Sequence, residues 1–193
     1  DRYTDLVEPF SIDESWLDVT GSQKLFGDGM AIAESIRQAV KSEIGVTISI
    51  GVSFNKMFAK MGSDYKKPDA ITLISRDNFK QIVYPLPVRA MMYIGPRTAA
   101  ALEGCNIRTI GALAAASPTF LAGRFGKMGE QIHAYACGID DSPVLSRAER
   151  AAPKSVGNGM TFRHDIVSAE EIRAGLGFLS EEGAARLRAV GRR

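Results

Sequence analysis

The sequence has few residues of the types that build covalent cross-links and soft metal centres. Its 193 residues include two cysteines, two histidines and one tryptophan. Cys105 and Cys137 have neither the paired spacing of a zinc site nor the pattern of a secreted disulfide framework. His133 and His164 are isolated from each other and from other ligand-type residues. We therefore expect two reduced thiols and histidines without a metal-binding role.

Long apolar runs and a strong net charge are also missing. No apolar stretch approaches the roughly 20 residues of a membrane span, and no signal peptide is visible. The sequence therefore predicts no membrane partner and a cytoplasmic location. The net charge of +2 is too small to indicate nucleic-acid binding, and the composition of 45% hydrophobic and 24% charged residues is that of an ordinary globular chain of one or two domains.

Charge is more informative where it clusters. The basic residues gather in two places, one at Lys56, Lys60, Lys66 and Lys67 and one at Arg147, Arg150, Lys154 and Arg163. A basic patch is the electrostatic footprint of nucleic-acid binding, whereas a solvated charged face is the competing interpretation for each cluster.

An acidic pair interrupts an apolar, strand-like run at 11–19. Asp13 and Glu14 are adjacent, and successive side chains of a strand point to opposite faces, so both reach one ion only at the rim or end of a strand. Mg²⁺ prefers oxygen ligands and keeps waters and substrate phosphates, so one or two carboxylates per ion are typical. The pair predicts a divalent-cation site. An exposed acidic turn that caps the following helix is the alternative.

Two motifs carry a resemblance to a known family. The run S-I-D-E-S-W-L-D at 11–18 resembles the S-I-D-E-x-aromatic-L-D signature of the Y-family, translesion DNA polymerases, most similarly the bacterial DinB (polymerase IV) type. Residues 51–70 resemble the G-[IV]-[SA]-x-N-K-x-x-A-K-x-x-[SA]-D-x-x-K-P segment that follows the catalytic strands in that family. Both motifs keep the family's order and spacing, and weaker matches extend the resemblance over nearly the whole chain.

The resemblance implies an α+β fold. It would consist of the remnant of a polymerase palm with a mixed β-sheet and helices, a small helical thumb and the start of a little-finger domain. Hydrophobic periodicity predicts strands at 11–19, 46–53 and 71–74 and helices at 29–43 and 56–61. The expected domains are the palm at 1–75, the thumb at 76–142, a basic linker at 143–153 and an incomplete little finger at 154–193.

The segment 94–113 resembles the helix-hairpin-helix of the thumb. Such a hairpin binds DNA phosphates through backbone N–H groups at a helix N-terminus, without reading bases. The expected DNA-binding residues here are Ile94, Gly95, Arg97 and Thr98. The family usually opens this element with G-x-G, and this chain has Tyr93 at the first glycine, so one backbone donor is expected to be poorly presented. A plain helical pair joined by a glycine turn is the alternative, and a further helix is predicted at 123–137.

The run K-S-V-G…T-F at 154–162 resembles the opening strand of the little finger. Lys154, Ser155 and Arg163 are its expected DNA-binding residues. An amphipathic helix is predicted at 168–190, with a capping box formed by Ser168 and Glu171. Because only the first strand and helix of this domain would be present, apolar surface should be exposed, which predicts a mobile or dimerising C-terminus.

The chemistry implied by the resemblance is nucleotidyl transfer with two Mg²⁺ ions. Asp13 would bind both ions, and Glu14 the ion that activates the primer 3′-hydroxyl. Lys67, in the K-P pair, would contact the incoming triphosphate, and Lys60 is a weaker candidate for the same region. Asp18 is expected to lie away from the site, in the turn before Gly21, because strand rise carries it too far from the pair.

The chain opens with Asp1 rather than a methionine, only ten residues before the S-I-D-E motif. In the family, the first catalytic aspartate and the fingers precede that motif. We therefore expect the chain to lack one metal ligand and to be inactive by itself. A sliding clamp is expected to bind only through a C-terminal tail beyond residue 193.

The predicted function is template-directed DNA synthesis past damaged bases, in DNA repair and damage tolerance, with primer-template DNA and deoxynucleoside triphosphates as partners. A polymerase-derived, non-catalytic DNA-binding accessory protein is the alternative. The presence of both Asp13 and Glu14 disfavours it, because a carboxylate pair without a role would cost stability. A nucleotide cyclase is the runner-up enzyme, which the thumb-like segment and the basic linker disfavour.

Overall fold

The computed structural model describes residues 2–146, 148–149 and 155–191. Contacts divide the chain into two compact units, Asp1–Glu149 and Arg150–Arg193. Within the described ranges, no helix combines the length and the apolar character that a membrane crossing requires.

The strands of the first unit form two separate sheets. Strands β1 (Val7–Pro9) and β2 (Ser15–Leu17) form an antiparallel hairpin with Glu8 opposite Trp16. Strands β3 (Ile50–Ser53) and β4 (Ile71–Ile74) are parallel. The mixed α/β character is confirmed, whereas the expectation of one mixed sheet is corrected, because the two strand pairs share no ladder in the described part of the chain.

The acidic motif forms a hairpin turn rather than a strand. We expected a strand over 11–19, but regular pairing covers only Ser15–Leu17 of that run. The backbone N–H groups of Phe10 and Ser11 both donate to the carbonyl of Glu14, at 2.8 and 3.3 Å. These bonds close the turn and use the donors that a longer strand would present to a neighbour.

One helix packs against the parallel strands β3 and β4, and a short helix precedes it. Helix α1 (Gln23–Phe26) is a short turn that precedes α2 (Gly29–Glu43), whose bounds are those predicted. Helix α2 begins there because the Asp28 carboxylate accepts the Ala31 N–H at 2.9 Å, an N-cap. Its apolar stripe buries Ile32 and Ala33. The strand predicted at 46–53 is shorter, since pairing begins at Ile50.

Helix α3 (Lys56–Tyr65) connects the two parallel strands and is longer than the predicted 56–61. The side chain of Asn55 caps it by accepting the Phe58 N–H at 2.8 Å. Helix and sheet approach closely at Gly51, where a Cβ atom would lie 1.8 Å from the Ala59 carbonyl oxygen. Only glycine allows this contact, which fixes the helix against β3.

A series of short helices completes the first unit. In chain order they are α4 (Phe79–Val83), α5 (Pro96–Gly104), α6 (Ile110–Ala115), α7 (Pro118–Phe125) and α8 (Lys127–Ala136). The single helix predicted at 123–137 is wrong. Gly126 has a left-handed backbone with φ of 61°, and its N–H ends α7 by donating to the Ala122 carbonyl at 2.8 Å.

One hydrophobic core extends from α3 through these helices. Phe58 is fully buried and stacks on Phe79 with ring centroids 5.4 Å apart. Leu102, Ile110 and Ile132 belong to the same buried cluster. Packing is therefore continuous across the predicted palm and thumb boundary near residue 75, and the division into those two domains stays a prediction.

The second unit contains helix α9 (Ala169–Ala189), which begins with the predicted capping box of Ser168 and Glu171. The preceding segment forms no strand within 155–162, which corrects that expectation. It lies along the helix instead: the Phe162 ring occupies the space over Gly175, and Asn158 Nδ2 donates to the Leu179 carbonyl at 3.4 Å. The expected exposed apolar surface is present at Ile172, Leu176 and Phe178.

Candidate active site

Asp13 and Glu14 lie at the tip of the β1–β2 hairpin. The hydroxyl of Ser11 donates to Asp13 Oδ1 at 2.8 Å and to Glu14 Oε2 at 3.3 Å. Oxygens of both carboxylates therefore converge on one hydroxyl. In a regular strand the two side chains would point to opposite faces, so the turn is what brings them together.

The donor set at this tip fits a hard divalent cation such as Mg²⁺ without enclosing it. Two carboxylates supply the protein's share of a Mg²⁺ site that also uses waters and substrate phosphates. Among the described residues, no group of three or more histidine, cysteine, aspartate and glutamate side chains is placed to hold a metal.

Lys60 of α3 lies against the acidic pair. Its Nζ is 3.0 Å from Glu14 Oε1, and it also pairs with Asp64 one turn later on the helix. Burial opposes the charged form of Lys60, but hydrogen bonds to Asp64 and Glu14 outweigh this effect and raise the pKa of its ammonium group above its ordinary value. A fixed positive charge therefore stands beside the two carboxylates.

Lys67 reaches the same cluster indirectly. Its Nζ lies 2.7 Å from Asp64 Oδ1, and the side chain is 57% exposed. Glu14, Lys60, Asp64 and Lys67 thus form one chain of ion pairs. Neither Asp64 nor Ser11 was among the site residues predicted from the sequence. The signal for Asp64 was its spacing, four residues after one lysine and three before the other.

The loop that carries Lys67 is tied to α2 through Asp69. Arg37 Nη1 and Lys41 Nζ each lie 2.6 Å from an Asp69 carboxylate oxygen. Hydrogen bonds from Lys41 and Arg37 lower the pKa of Asp69 below its ordinary value. This contact fixes the end of the segment that follows α3.

Asp18 lies away from the cluster, as predicted. Its Oδ1 accepts the Thr20 N–H at 2.9 Å at the start of a 3₁₀ turn, Thr20–Ser22. The side chain therefore stabilises the connection that follows β2.

The residues predicted to bind DNA in the thumb differ in their surroundings. Ile94 is 6% exposed, and its N–H donates to the Met91 carbonyl at 3.2 Å, so its side chain packs in the core. Gly95 is the N-cap of α5 and has no side chain to cap it. Arg97 and Thr98 follow in the first turn, where backbone N–H groups have no helical acceptor.

Tyr93 occupies the position where a glycine was expected. Its φ of 67° is left-handed, the conformation that a glycine adopts without strain. The ring is 56% exposed and stacks on Tyr135 with centroids 5.8 Å apart. The expectation that one backbone donor is poorly presented here stays a prediction.

The remaining predicted DNA-binding residues belong to the second unit. Ser155 and Arg163 are exposed. Lys154 lies outside the described residues, as do Arg147 and Arg150 of the basic cluster. Their assignment stays a prediction.

Family sequence models and curated relatives show which family the chain belongs to. Residues 1–64 match the sequence model of the impB/mucB/samB family, and residues 153–193 match that of its C-terminal domain. The chain belongs to this family. It is 46% identical over 186 residues to DNA polymerase IV of Acetivibrio thermocellus, which covers 96% of the chain and 47% of that relative. It is 42% identical over 195 residues to DNA polymerase IV 2 of Bacillus subtilis, with coverages of 99% and 47%.

A solved structure is also similar to this chain. DinB from Sulfolobus solfataricus is 26% identical, with a TM-score of 0.66, over 75% of this chain and 43% of that one. The resemblance to the DinB type of Y-family polymerase is confirmed. The family member described here spans about half the length of the curated relatives it matches.

Proposed function

We propose that this impB/mucB/samB chain provides part of the active site and of the DNA-binding surface of a DNA-directed DNA polymerase of the translesion type. The convergence of the Asp13 and Glu14 carboxylates at one hairpin tip, with Lys60 against them, carries the proposal. The names of the relatives, DNA polymerase IV and DinB, support the same reaction.

In this proposal Asp13 and Glu14 would supply two of the carboxylates that hold two Mg²⁺ ions. When bound, the ions would supply activation of the primer 3′-hydroxyl and neutralisation of the triphosphate charge. Lys60 exchanges its contact with Glu14 for triphosphate oxygens when the nucleotide enters. Lys67 adds a second positive charge at the outer side of the cluster, where its exposed side chain can contact the triphosphate.

The DNA would be held through its phosphates. Gly95, Arg97 and Thr98 present the start of α5, where backbone N–H groups and the helix dipole attract an anion. Ile94 precedes this site in the chain, with its side chain in the hydrophobic core. Lys154, Ser155 and Arg163 add contacts from the second unit. Such contacts carry no base information, so binding should weaken steeply with salt and depend little on sequence. A sliding clamp is a further proposed partner of a longer chain.

Primer extension tests the proposal. The full-length protein is given primer-template DNA, Mg²⁺ and all four deoxynucleotides, beside Asp13→Asn and Glu14→Gln. Both substitutions keep the side-chain shape and remove the charge, so extension should fall to background while DNA binding persists. Asp18→Asn is the matched control, since an amide oxygen still accepts the Thr20 N–H, and it should extend normally.

Undiminished extension by Asp13→Asn would remove these carboxylates from the active site. A folded wild-type protein that binds DNA but never extends a primer would instead support the non-catalytic accessory protein.

A further inference from the structure

A cleft of about 230 Å³ opens between the β1–β2 hairpin and the residues just before α5. Four aromatic side chains line it: Phe10, Trp16, Tyr93 and Tyr135. Phe10 is 44% exposed and Tyr93 is 56% exposed, so both present ring surface at the mouth. Phe10 also packs on Trp16 with centroids 4.6 Å apart, and Tyr93 stacks on Tyr135, so the exposed rings are held from behind.

The charged groups of the cleft are engaged within the protein. Lys56 Nζ lies 2.7 Å from Glu8 Oε1, donates to the Pro143 carbonyl at 3.0 Å and sits over the Trp16 ring. Asp140 accepts the Met57 N–H at 3.1 Å and the Ser142 hydroxyl at 2.6 Å. The aromatic faces are therefore the surface that the cleft offers to a ligand.

The cleft lies between the two sites of the proposed function. The Phe10 N–H donates to the Glu14 carbonyl, so Phe10 is next to the acidic pair. Tyr93 stands two residues before Gly95, the N-cap of α5. A nucleic-acid strand whose 3′ end reaches the carboxylates and whose backbone reaches the start of α5 would pass the segments that carry Phe10 and Tyr93, which both line the cleft.

We propose that this cleft is a subsite for one deoxyribose of the primer strand, packed between the exposed rings of Phe10 and Tyr93. The inference rests on the proposed polymerase function. The volume is below the roughly 300–1,000 Å³ of pockets that hold a whole drug-sized ligand, so it suits a single ring. In a duplex the bases are stacked and paired, whereas the sugar edge is accessible and identical in every nucleotide. The contact therefore adds affinity without sequence preference.

The unusual backbone of Tyr93 makes a clean test possible. Glycine and asparagine both tolerate a left-handed φ, so Tyr93→Gly and Tyr93→Asn remove the ring from a conformation that the new residue accepts. Loss of function in these variants is thus separable from loss of folding, which thermal unfolding verifies. Phe120→Ala is the matched control, because Phe120 is 47% exposed and does not line the cleft.

The first measurement is the dissociation constant of the full-length protein for primer-template DNA, by fluorescence anisotropy. Both Tyr93 variants should bind about tenfold more weakly, because the apolar contact of one ring with the sugar is lost. Phe120→Ala should bind like the wild type. Unchanged affinity in both Tyr93 variants would overturn the subsite.

Modified primers identify what the rings contact. A tetrahydrofuran residue keeps the sugar without the base, and a propanediol spacer lacks both. Each is placed at successive positions back from the primer 3′ end. The penalty of Tyr93→Asn should persist with tetrahydrofuran at every position and disappear with the spacer at one position. Loss of the penalty with tetrahydrofuran would assign the cleft to a base, and persistence with the spacer throughout would exclude a primer sugar. Either result overturns the proposal.

Failure of this inference is distinguishable from failure of the proposed function. If Asp13→Asn abolishes extension and Tyr93→Asn leaves DNA affinity unchanged, the polymerase function stands and the subsite falls. If Asp13→Asn extends primers normally, the proposed active site itself falls, and the binding data with modified primers then show only a DNA-contact site.

Discussion

At the scale of single residues, Lys60 has two acidic partners and one proposed substrate. Lys60→Met keeps much of the aliphatic stem and removes the charge. We expect the KM for the incoming deoxynucleotide to rise about 10- to 100-fold, the range of one lost charge-assisted hydrogen bond, with a small change in DNA affinity. Steady-state kinetics of single-nucleotide insertion measure this KM. Lys66→Met is the control, because Lys66 is an exposed lysine at the end of the same helix. An equal rise in KM for Lys66→Met would mean that the loss of any nearby positive charge causes the effect.

Asp69 should make stability depend on pH. Lys41 and Arg37 hold the pKa of its carboxyl below the ordinary value, so the unfolded state binds its proton more readily than the folded state does. The stabilisation is therefore complete above the unfolded pKa of about 3.9 and is lost as pH falls through the lower folded value. Urea unfolding between about pH 2 and 7 should show Asp69→Asn less stable than the wild type near neutrality, with the difference shrinking in acid. A difference that is constant with pH would contradict this assignment.

At the scale of secondary-structure elements, the contact of α3 with β3 positions Lys60. A methyl group at Gly51 would meet the Ala59 carbonyl oxygen at 1.8 Å, and backbone cannot rotate away as a side chain can. Gly51→Ala should lower the free energy of unfolding by about 3 kcal/mol or more, at the upper end of overpacking effects. Gly21→Ala is the control, since nothing lies within 4 Å of its added Cβ, and it should change stability by less than about 0.5 kcal/mol. Urea denaturation of both variants measures these changes in the free energy of unfolding.

The elements also show which local signals in the sequence were sufficient. Helix α2 was predicted with its observed bounds because an amphipathic stripe marks it within one segment, and the capping box of α9 was equally local. For the run at 11–14 a strand was expected and an exposed acidic turn was the alternative; a turn forms, but it joins two strands instead of capping a helix. Alternation predicts an extended chain but not which strand it pairs with. The break at Gly126 depends on one left-handed residue inside a continuous helical pattern. Of the site residues expected from the motifs, Asp13, Glu14 and Lys60 lie together in the structure. Ser11 was not among them, because its contact with both carboxylates exists only in the folded turn.

At the scale of the whole molecule, Glu8 joins parts of the first unit that are far apart in sequence. Its carboxylate pairs with Lys56 at the start of α3 and accepts the Leu145 N–H at 2.7 Å. The Glu8 and Lys56 side chains are 17% and 13% exposed, so neither charge is well solvated if the other is removed. The contact therefore connects the hairpin, α3 and the segment 143–145. Glu8 and Lys56 also line the aromatic cleft.

Removing the charge of Glu8 should loosen this connection. Glu8→Gln leaves Lys56 without its anionic partner in a mostly buried position, and the expected loss is about 3 kcal/mol, the low end for one half of a buried pair. Limited proteolysis should then cut near Leu145 sooner than in the wild type, because the segment has lost a strong acceptor. Glu43→Gln is the matched control: it breaks the ion pair with Arg2, whose side chain is 63% exposed, and should change little. Equal thermal shifts in the two variants would mean that the Glu8 contact is no stronger than a solvated surface pair.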